Sequence, residues 1–587
     1  MVTVLTLRPD IAQATVTQWP WAIHDGPVHL SVARALAQAG SRDWLIIAKG
    51  PLSGRNVVAS AVATITCPSA QGPGLAEAQV EGPLAHGLTT LGVDAIVISG
   101  RATKATGITC EGFGETLTTS FDAAGVVASL EVGQKDNALR TSQSDIVITT
   151  GTVGMAEHPA ASVVINRGFP TTQGGCGAVL GRLRLSHLVL RGHGSIPPAT
   201  ELERRVTASY DAAIAGNPLT ASEKNYPGFA MWVAQDLVGY QASPEFSGQK
   251  SAGATAFSAE AMMAFARDDG AHACPGCPQG CLKSFTDNAN TPIDAGRAHQ
   301  LGVSGAALLA DICDADVLVG FNQMCHDLGV EHLSAADALR GTTVTSESLE
   351  ADIRGALERY PLGPEPSLRV KGMVVPPFDP RGNQGLGVGF ALNPTGPRYD
   401  VFEHDIDFEV GQHWMGRENL QEDFGVPPTG IPMGTLGPER HTAIIRLWLA
   451  WSGLDALGLC EFAAPPTREL TIEQICELAG EIGGAPFTKD DFVQVGQLRL
   501  ALLRDTHRLL GGSVHDDTLP EVFFDTPVID GRLVGAVIDR NEFEAACGVV
   551  RRELGWDGDG GIADASLRDR VEDVTSAVWK RMESVAT

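Results

Sequence analysis

Three cysteines stand within eight residues, in the segment Cys274-Pro-Gly-Cys277-Pro-Gln-Gly-Cys281. The glycines and prolines between them favour an open loop that can wrap a metal centre. Thiolates are soft ligands that suit zinc or an iron–sulfur cluster. Zinc sites usually show two separated ligand pairs, whereas a cubane is served by a compact triplet and one remote cysteine. The spacing therefore favours a cluster, with zinc and buried structural cysteines as the alternatives.

The cysteine count and the net charge narrow the class of protein further. The chain of 587 residues has eleven cysteines, an odd number spread thinly, which argues against a disulfide framework. Its net charge of −27 disfavours nucleic-acid and anionic membrane partners, because these need basic surfaces. No apolar run reaches the roughly 20 residues of a membrane span, and the first residues lack a signal-peptide pattern. We therefore expect a cytoplasmic protein.

The first third of the chain has the pattern of a strand-rich domain. Short apolar runs rich in valine and isoleucine alternate with glycine and proline, which is typical of strands. Pro197-Pro198 ends this pattern, and helical spacing follows from Glu201 to Ala215. We therefore place a domain boundary near residue 198. The predicted strands are Trp44–Ala48, Val57–Ile65, Asp94–Ser99, Asp145–Thr149 and Ser162–Ile165.

An amphipathic helix is predicted in the middle of the chain. The stretch from Asp316 to Leu328 places its apolar residues on one face. Asp314 and Asp316 are candidate caps, and Gly329 is the expected stop. From residue 201 onward, the pattern therefore indicates mostly helical structure.

Two features organise the last part of the chain. Residues 361–400 are so dense in proline and glycine that no regular helix is expected there, and we place a second boundary near residue 375. Gly437-Pro438 starts a helix that ends near Gly453 and leads to Cys460. The prediction is an α+β chain with a strand-rich domain at 1–198, a helical domain carrying the cysteine triplet at 199–375, and a helical domain at 376–587.

The segment Asp455-Ala-Leu-Gly-Leu-Cys460 resembles the motif with which aldehyde:ferredoxin oxidoreductases supply the fourth cluster ligand and contact a pterin. The triplet and this motif are specific in combination. Further matches follow in the expected order, so that the resemblance spans nearly the whole chain. They are Gly50-Pro-Leu-Ser-Gly-Arg55, Gly174-Gly-Cys-Gly-Ala-Val-Leu-Gly181, Lys371-Gly and Phe378-Asp-Pro-Arg-Gly382.

The resemblance implies a fold, a cofactor set and a reaction. In that family, a strand-rich domain of two packed sheets is the base for a tungsten (or molybdenum) bis-pyranopterin. Two mostly helical domains cover it, carry a 4Fe-4S cluster and enclose the cofactors at the domain interface; a magnesium ion bridging the pterin phosphates is a further expected group. The implied reaction oxidises an aldehyde to a carboxylate, and the electrons leave through the cluster to a ferredoxin or an iron–sulfur partner subunit. A homodimer or a larger complex is an expectation of the same kind.

The resemblance also implies roles for individual residues. Arg55 is the expected contact of a pterin phosphate, and Asp455 and Leu459 of the motif are expected at the pterin. Histidines near the family's acid–base positions are the candidate catalysts, because imidazole titrates near neutral pH. The implied cluster ligands are Cys274, Cys277, Cys281 and Cys460, the implied pterin-site glycines are Gly82, Gly174 and Gly175, and the candidate catalytic histidines are His299, His404 and His413.

Three positions depart from the family pattern. Gln79 and Glu81 stand where the family has an asparagine and a glycine, and Gln173 stands in place of an arginine. A carboxylate beside phosphates repels them unless a cation lies between. These departures keep two alternatives open. One is low-potential reduction of an aromatic acyl-thioester on the same scaffold, which the altered region around His299 motivates; the other is an electron-relay or scaffold subunit that has lost the metal–pterin site.

Overall fold

A computed structural model describes residues 1–226, 246–247, 262–266, 274–286, 292–297, 300–360, 367–411 and 420–586. The first sheet consists of β1 (Val2–Arg8), β2 (Gln13–Trp19), β3 (Trp44–Ala48), β4 (Val62–Pro68), β5 (Leu75–Glu81) and β6 (Ala95–Ser99). Its strand order is β2-β1-β6-β3-β4-β5. β1 and β6 are parallel, and the other neighbours are antiparallel.

The second sheet follows directly along the chain. It consists of β7 (Thr106–Gly112), β8 (Thr118–Ala123), β9 (Ile146–Thr149), β10 (Val164–Ile165), β11 (Phe169–Pro170) and β12 (Leu185–Gly192). Its strand order is β11-β10-β9-β12-β7-β8, with β12 parallel to β7. Both sheets therefore lie within the first 192 residues.

Helices connect these strands and dominate the chain after residue 200. The first group is α1 (Val28–Gln38), α2 (Leu84–Leu91), α3 (Val132–Leu139), α4 (Thr152–Met155) and α5 (Cys176–Arg182). The second group is α6 (Glu201–Ile214), α7 (Pro218–Asn225), α8 (Gln300–Leu309), α9 (Ala315–Leu328), α10 (His332–Ala338), α11 (Leu349–Leu357), α12 (Gln384–Leu392), α13 (Leu420–Phe424), α14 (Pro438–Leu457), α15 (Ile472–Gly483), α16 (Lys489–Leu509), α17 (Val522–Asp525), α18 (Arg540–Glu553) and α19 (Ala565–Ala586). Two short hairpins pair β13 (Ser284–Thr286) with β14 (Pro292–Arg297), and β15 (Arg369–Val370) with β16 (Met373–Val374). No helix in the described ranges is long and apolar enough to cross a membrane.

The central strands β3 and β4 of the first sheet are buried on both faces. Leu45 and Ile47 of β3 point into an apolar core that is shared by the two sheets, α2 and α5. Trp44 and Ile46 point to the opposite face, into the larger core that the helices form. Since successive side chains of a strand alternate between faces, the continuous apolar sequence of β3 fits a strand covered on both sides.

The C-terminal helices cover the outer face of this sheet. α16 packs along α14, and α1 packs against both α16 and α19. Arg34 of α1 forms a buried ion pair with Asp505 of α16, with 2.7 Å between Nε and Oδ2. The N-terminal and C-terminal parts of the chain are therefore held together directly.

The predicted fold class is confirmed: two sheets come first, and mostly helical structure follows. The helix predicted from Asp316 to Leu328 is also present as α9. The Asp314 side chain caps it, and Gly329 ends it in the left-handed conformation. The domain boundaries near residues 198 and 375 remain predictions.

Three predicted elements differ from the structure. α12 lies inside the glycine-rich segment where the sequence predicts no helix, because complete burial of this helix outweighs the low helix propensity of glycine. The strand predicted from Val57 begins only at Val62, and Ala59 before it has a φ of 68°. The helix that starts at Pro438 continues past Gly453 to Leu457.

Two motifs from opposite ends of the chain meet backbone to backbone. The Leu52 amide donates to the Leu457 carbonyl (2.9 Å), and the Ser53 hydroxyl donates to the Gly458 carbonyl (2.9 Å). A Cβ atom added at Gly50 would lie 2.4 Å from the Leu457 carbonyl atoms. Gly50 therefore allows the loop after β3 to pack against the end of α14; we call this contact the Gly50–Leu457 junction.

We predict that Gly50→Ala destabilises the chain by about 2–3 kcal/mol, because backbone atoms must move to admit the new methyl group. The control is Gly355→Ala in α11, where an added Cβ meets nothing within 4 Å. This control should be stabilising by about 0.5–1 kcal/mol, since alanine favours a helix over glycine. Denaturant unfolding of both variants measures the difference. Equal stability of the two variants would contradict the close contact at the junction.

Candidate functional site

The cysteine triplet and Cys460 line one cavity between the first sheet and the helical part. Cys274, Cys277 and Cys281 come from the loop before β13, and Cys460 follows α14. Gly276 and Gly280 have positive φ values of 74° and 57°, which lets the loop turn sharply around the cavity. Apart from the thiols, the lining is mainly apolar, with Ala59, Ala61, Val62, Leu282, Phe462 and Ala463. The structure thus brings together four residues that are far apart in sequence.

The position of Cys460 follows from the end of α14. Gly458 adopts the left-handed conformation that ends the helix. The Cys460 amide then donates to the Ala59 carbonyl (2.9 Å). Ala59 also accompanies Cys277 in the cavity lining. The segment before β4 is therefore the common support of two of the four thiols.

The four thiols influence one another electrostatically. Burial raises the pKa of Cys281, and negative charge at Cys274 and Cys277 raises it further. Burial also raises the pKa of Cys460, with contributions from Glu461 and Glu81 and then from Cys281 and Cys274. Such thiols keep their protons unless a positively charged centre takes them as thiolates.

Two kinds of metal centre, a zinc ion and an iron–sulfur cluster, place different demands on the four thiols. A tetrahedral zinc ion would draw its sulfur ligands to within about 4 Å of one another. In the described ranges, no group of three or more His, Cys, Asp or Glu side chains is placed to hold a metal ion. The four thiols instead surround a cavity. The choice between a cluster and a zinc ion therefore stays with the sequence spacing, which favours the cluster.

A second cavity has a volume of about 550 Å³, which is within the size range of small-molecule sites. Arg55 and Asp455, the two predicted pterin contacts, both line it. Lys49 and Arg55 give it a basic wall, although each is paired: Lys49 with Asp94 (Nζ–Oδ1 2.9 Å) and Arg55 with Glu203. The cavity therefore offers both basic and acidic groups to a polar ligand.

Asp455 is held from both sides. Gln79 of β5 donates to Oδ1, and Arg499 of α16 lies 2.8 Å from Oδ2. Burial raises the pKa of Asp455 to about 6, against the opposing effects of Arg499 and Arg398. This carboxyl is thus oriented in advance, at the boundary between the sheet and the C-terminal helices.

Glu77 is the centre of the charges around Asp455. It contacts Arg499, Arg398 (Oε2–Nη1 3.3 Å) and His29 (Oε1–Nε2 3.2 Å), and its side chain is completely buried. Burial alone would raise its pKa, but Arg499, His29 and Arg398 together lower the pKa of Glu77 to about 2. We call this group the Glu77 network.

The strand β5 connects the two cavities. Glu77, Gln79 and Glu81 alternate along it and therefore share one face. Glu77 holds the arginines, Gln79 holds Asp455, and Glu81 lines the thiol cavity. The segment from Asp455 to Cys460 contributes to both cavities, and β5 contributes Glu81 to the thiol cavity and holds Asp455 through Gln79.

The polar groups of the second cavity are compatible with a pterin group. Asp455 offers a carboxylate that can accept hydrogen bonds, and Lys49 and Arg55 offer donors. A polar heterocycle with ring nitrogens and an amino group offers donors and acceptors to such atoms. A pterin with an anionic tail would suit this lining, with Arg55 and Lys49 at the tail, and the pterin contacts stay predictions.

The three predicted glycines have close protein neighbours. A Cβ at Gly82 would lie 2.1 Å from the Phe169 ring, and one at Gly174 would lie 2.3 Å from the Ala76 Cβ. Gly175 caps α5 with a φ of 71°. Packing explains these glycines, and their role at a pterin stays a prediction. Leu459 is completely buried beside Cys460, and its predicted pterin contact likewise stays a prediction.

Of the three candidate catalytic histidines, His299 and His413 lie outside the described residues. The Nε2 atom of His404 lies 2.7 Å from the Tyr399 carbonyl, and its ring packs against Phe378. Burial lowers the pKa of His404 to about 4, so that the imidazole is neutral near pH 7. A catalytic role of these histidines remains a prediction, and His404 would act in its neutral form.

The sequence reasoning did not identify the Glu77 network. Arg499 stands in the middle of the otherwise apolar segment Leu498-Arg-Leu-Ala-Leu-Leu503, and it is almost completely buried. Glu77 and Gln79 interrupt an alanine-rich strand. Charged residues in apolar elements are rarely buried without a partner, and this pattern was the available signal.

The two-sheet base and the helices that cover it hold the four-thiol cavity and a ligand-sized cavity. Two family profiles match the chain. "Aldehyde ferredoxin oxidoreductase, N-terminal domain" matches residues 28–192, and "Aldehyde ferredoxin oxidoreductase, domains 2 & 3" matches residues 351–569. Together these matches cover well over half of the sequence. The chain belongs to the aldehyde ferredoxin oxidoreductase family.

The named relatives of this chain have low sequence identity to it. The tungsten-containing aldehyde ferredoxin oxidoreductase of Pyrococcus furiosus is 23% identical over 578 residues, and that of Thermococcus kodakarensis is 22% identical over 576 residues. Each alignment covers 89% of this chain and 89% of the relative. The active site complex BamBC of benzoyl coenzyme A reductase, solved with 1,5-dienoyl-CoA, has a chain of the same fold. It matches with a TM-score of 0.77 and 15% identity, over 99% of this chain and 98% of that chain. The chain is thus a divergent family member.

We predict that Glu77→Gln destabilises the chain by about 3–5 kcal/mol near pH 7, because Arg398 and Arg499 lose a buried anion. The pKa of Glu77 is depressed to about 2, so its stabilising effect is complete above the unfolded value of 4.5 and is lost as the pH falls toward 2. The difference between wild type and variant should therefore shrink over this acid range. Denaturant unfolding at several pH values measures it.

Glu477→Gln is the matched control, since Glu477 is half exposed and, within the described ranges, pairs with the exposed Arg205. Its effect should stay below about 0.5 kcal/mol. An equally small effect of Glu77→Gln at neutral pH would contradict the central role of the Glu77 network.

Proposed function

We propose that the chain is a tungsten (or molybdenum) pterin-dependent oxidoreductase that oxidises an aldehyde to a carboxylate and passes the electrons through a 4Fe-4S cluster. The observation that carries this proposal is the pair of neighbouring cavities, one lined by four thiols and the other by Arg55 and Asp455. Family membership supports it, because the curated relatives are named as tungsten-containing aldehyde ferredoxin oxidoreductases.

In this proposal, Cys274, Cys277, Cys281 and Cys460 hold the cluster as thiolates. Each cysteine would give up its proton on binding, and the positive charge of the iron would offset the cost of a buried thiolate, which the raised pKa values of Cys281 and Cys460 express. The apolar lining keeps water away and strengthens the electrostatic effect of the surrounding carboxyl groups on the cluster.

Asp455 and Arg55 hold the pterin group in the second cavity. Asp455, oriented by Gln79 and Arg499, accepts hydrogen bonds from the heterocycle, and Arg55 with Lys49 faces its phosphate end. For this, Arg55 must exchange Glu203 for the phosphate, at least in part. When bound, the metal–pterin group supplies the two-electron oxygen transfer, in which an aldehyde and water give a carboxylate, three protons and two electrons.

The short link between the cavities supports electron transfer from one site to the other. Asp455 and Cys460 lie on either side of the helix end at Gly458, which the Gly50–Leu457 junction fixes. A ferredoxin or an iron–sulfur partner subunit is the proposed acceptor. The acidic chain would select a partner through complementary charge.

A second candidate activity is low-potential reduction of an aromatic acyl-thioester. It uses the same cofactor set, and the full-length structural match to the benzoyl coenzyme A reductase complex makes the fold compatible with it.

A third candidate is an electron-relay subunit without the metal–pterin group. It rests on Gln79, Glu81 and Gln173, which depart from the family pattern. Gln79 donates a hydrogen bond to Asp455, and Gln173 donates one to the Val374 carbonyl.

An activity assay under anaerobic conditions separates these candidates. We expect purified chain to reduce a viologen dye with simple aliphatic or aromatic aldehydes as electron donors, and to release the matching carboxylate. Turnover only with reduced dye and an aromatic acyl-coenzyme A would favour the second candidate. Dye oxidation and reduction without either substrate reaction would favour the electron-relay subunit.

We predict that Cys277→Ala loses the broad visible absorbance of the cluster and most of its iron, because one iron loses its thiolate. Cys313→Ala is the control, since Cys313 lies at the start of the segment before α9 and does not line the cavity. It should retain the wild-type spectrum. Unchanged absorbance and iron content in Cys277→Ala would refute the assignment of the cluster ligands.

A further inference from the structure

The loop that carries the cysteine triplet has no helix or strand of its own. Residues 274–283 form turns and irregular backbone. Such a segment keeps one conformation only if it is tied to a more rigid part of the fold. Gln279 stands between Cys277 and Cys281, lines the thiol cavity and is 1% exposed. It is therefore placed to provide such a tie.

Both polar groups of the Gln279 side chain are hydrogen-bonded to helices. Its carbonyl oxygen accepts from the Tyr210 hydroxyl of α6, and its amide donates to Glu223 Oε2 of α7 (2.5 Å). Tyr210 and Glu223 are buried, so both bonds lie in a region shielded from solvent. Arg468 holds Glu223 from the other side, with 2.8 Å between Nη2 and Oε1. The cysteine loop is thus fixed to two helices through one buried residue.

The backbone at Gln279 faces the sulfur atom of Cys277. The N–H groups of Gln279 and Gly280 donate hydrogen bonds to this sulfur, and the Ala59 N–H is a third donor. Burial raises the pKa of Cys277, and these three donors oppose the rise. An N–H group turns its positive end to the sulfur, so it stabilises the more negative, reduced state of a cluster bound there. These hydrogen bonds therefore raise the midpoint potential of the cluster.

We propose that Gln279 is a positioning residue that sets the midpoint potential of the cluster by holding the cysteine loop on α6 and α7. This inference rests on the proposed cluster in the thiol cavity. The bonds to Tyr210 and Glu223 fix the Gln279 side chain, and the side chain fixes the backbone N–H groups that face Cys277. Gln279 itself exchanges no electron and no proton.

Two substitutions weaken this tie without changing any charge. Gln279→Leu removes both side-chain hydrogen bonds, and Tyr210→Phe removes one of them. Each keeps a side chain of similar volume, so that the cavity stays closed to water. Because the N–H groups can then turn away from Cys277, the potential should fall. We expect a fall of about 59 mV in Gln279→Leu, a tenfold change in the ratio of oxidised to reduced cluster, and a smaller fall in Tyr210→Phe.

The test is a redox titration of the cluster in the full anaerobic protein, followed by visible absorbance and electron paramagnetic resonance. Iron content shows which variants carry the cluster, and Tyr210→Phe decides if Gln279→Leu does not load. Tyr360→Phe is the matched control, since the Tyr360 hydroxyl accepts from Arg369 (2.7 Å) and Tyr360 does not line the thiol cavity. It should keep the wild-type potential.

Wild-type potentials in the loaded Gln279 and Tyr210 variants would overturn the positioning role of Gln279 and leave the cluster assignment intact. A rise in potential would do the same, and so would a fall in Tyr360→Phe as large as that in Tyr210→Phe. A chain that binds no cluster would overturn the proposed function, and this inference with it.

Discussion

The Gly50–Leu457 junction is the contact on which the arrangement of both cavities depends. Backbone atoms of the loop after β3 lie directly against the end of α14, and no side chain separates them. This contact fixes the turn that carries Asp455 into one cavity and Cys460 into the other. Since close backbone packing tolerates little displacement, both sites are positioned by the core of the molecule.

Buried charge is the second organising feature. The first sheet supplies Glu77, the segment after α12 supplies Arg398, and α16 supplies Arg499. A buried carboxylate with two arginines is costly to separate, so it favours one relative placement of sheet and helices. The same network orients Asp455 toward the second cavity. Structural stability and ligand binding therefore depend on the same residues.

The sequence predicted the features that depend on local pattern. The α+β class, the strand at Trp44–Ala48 and the caps of the helix ending at Leu328 all follow from short-range rules. The cysteine spacing and the Asp455–Cys460 motif indicated which residues should meet. The buried helix Gln384–Leu392 was not predictable in this way, because its stability comes from tertiary packing instead of residue propensity.

The long-range charge contacts were also beyond a reading of the sequence. Glu77 and Arg499 are more than 400 residues apart, and only the folded chain brings them together. The same holds for the hydrogen bonds that join Gln279, Glu223 and Arg468, which come from three separate segments. Sequence pattern identifies such residues as unusual, but it does not pair them.

The most direct test of the proposed function is elemental analysis of anaerobically purified chain, from a host that makes the pterin cofactor. The account predicts about four irons and about one tungsten or molybdenum per chain. Four irons with neither tungsten nor molybdenum would indicate an electron-relay subunit. Zinc without iron would contradict the central claim, that the four thiols hold an iron–sulfur cluster.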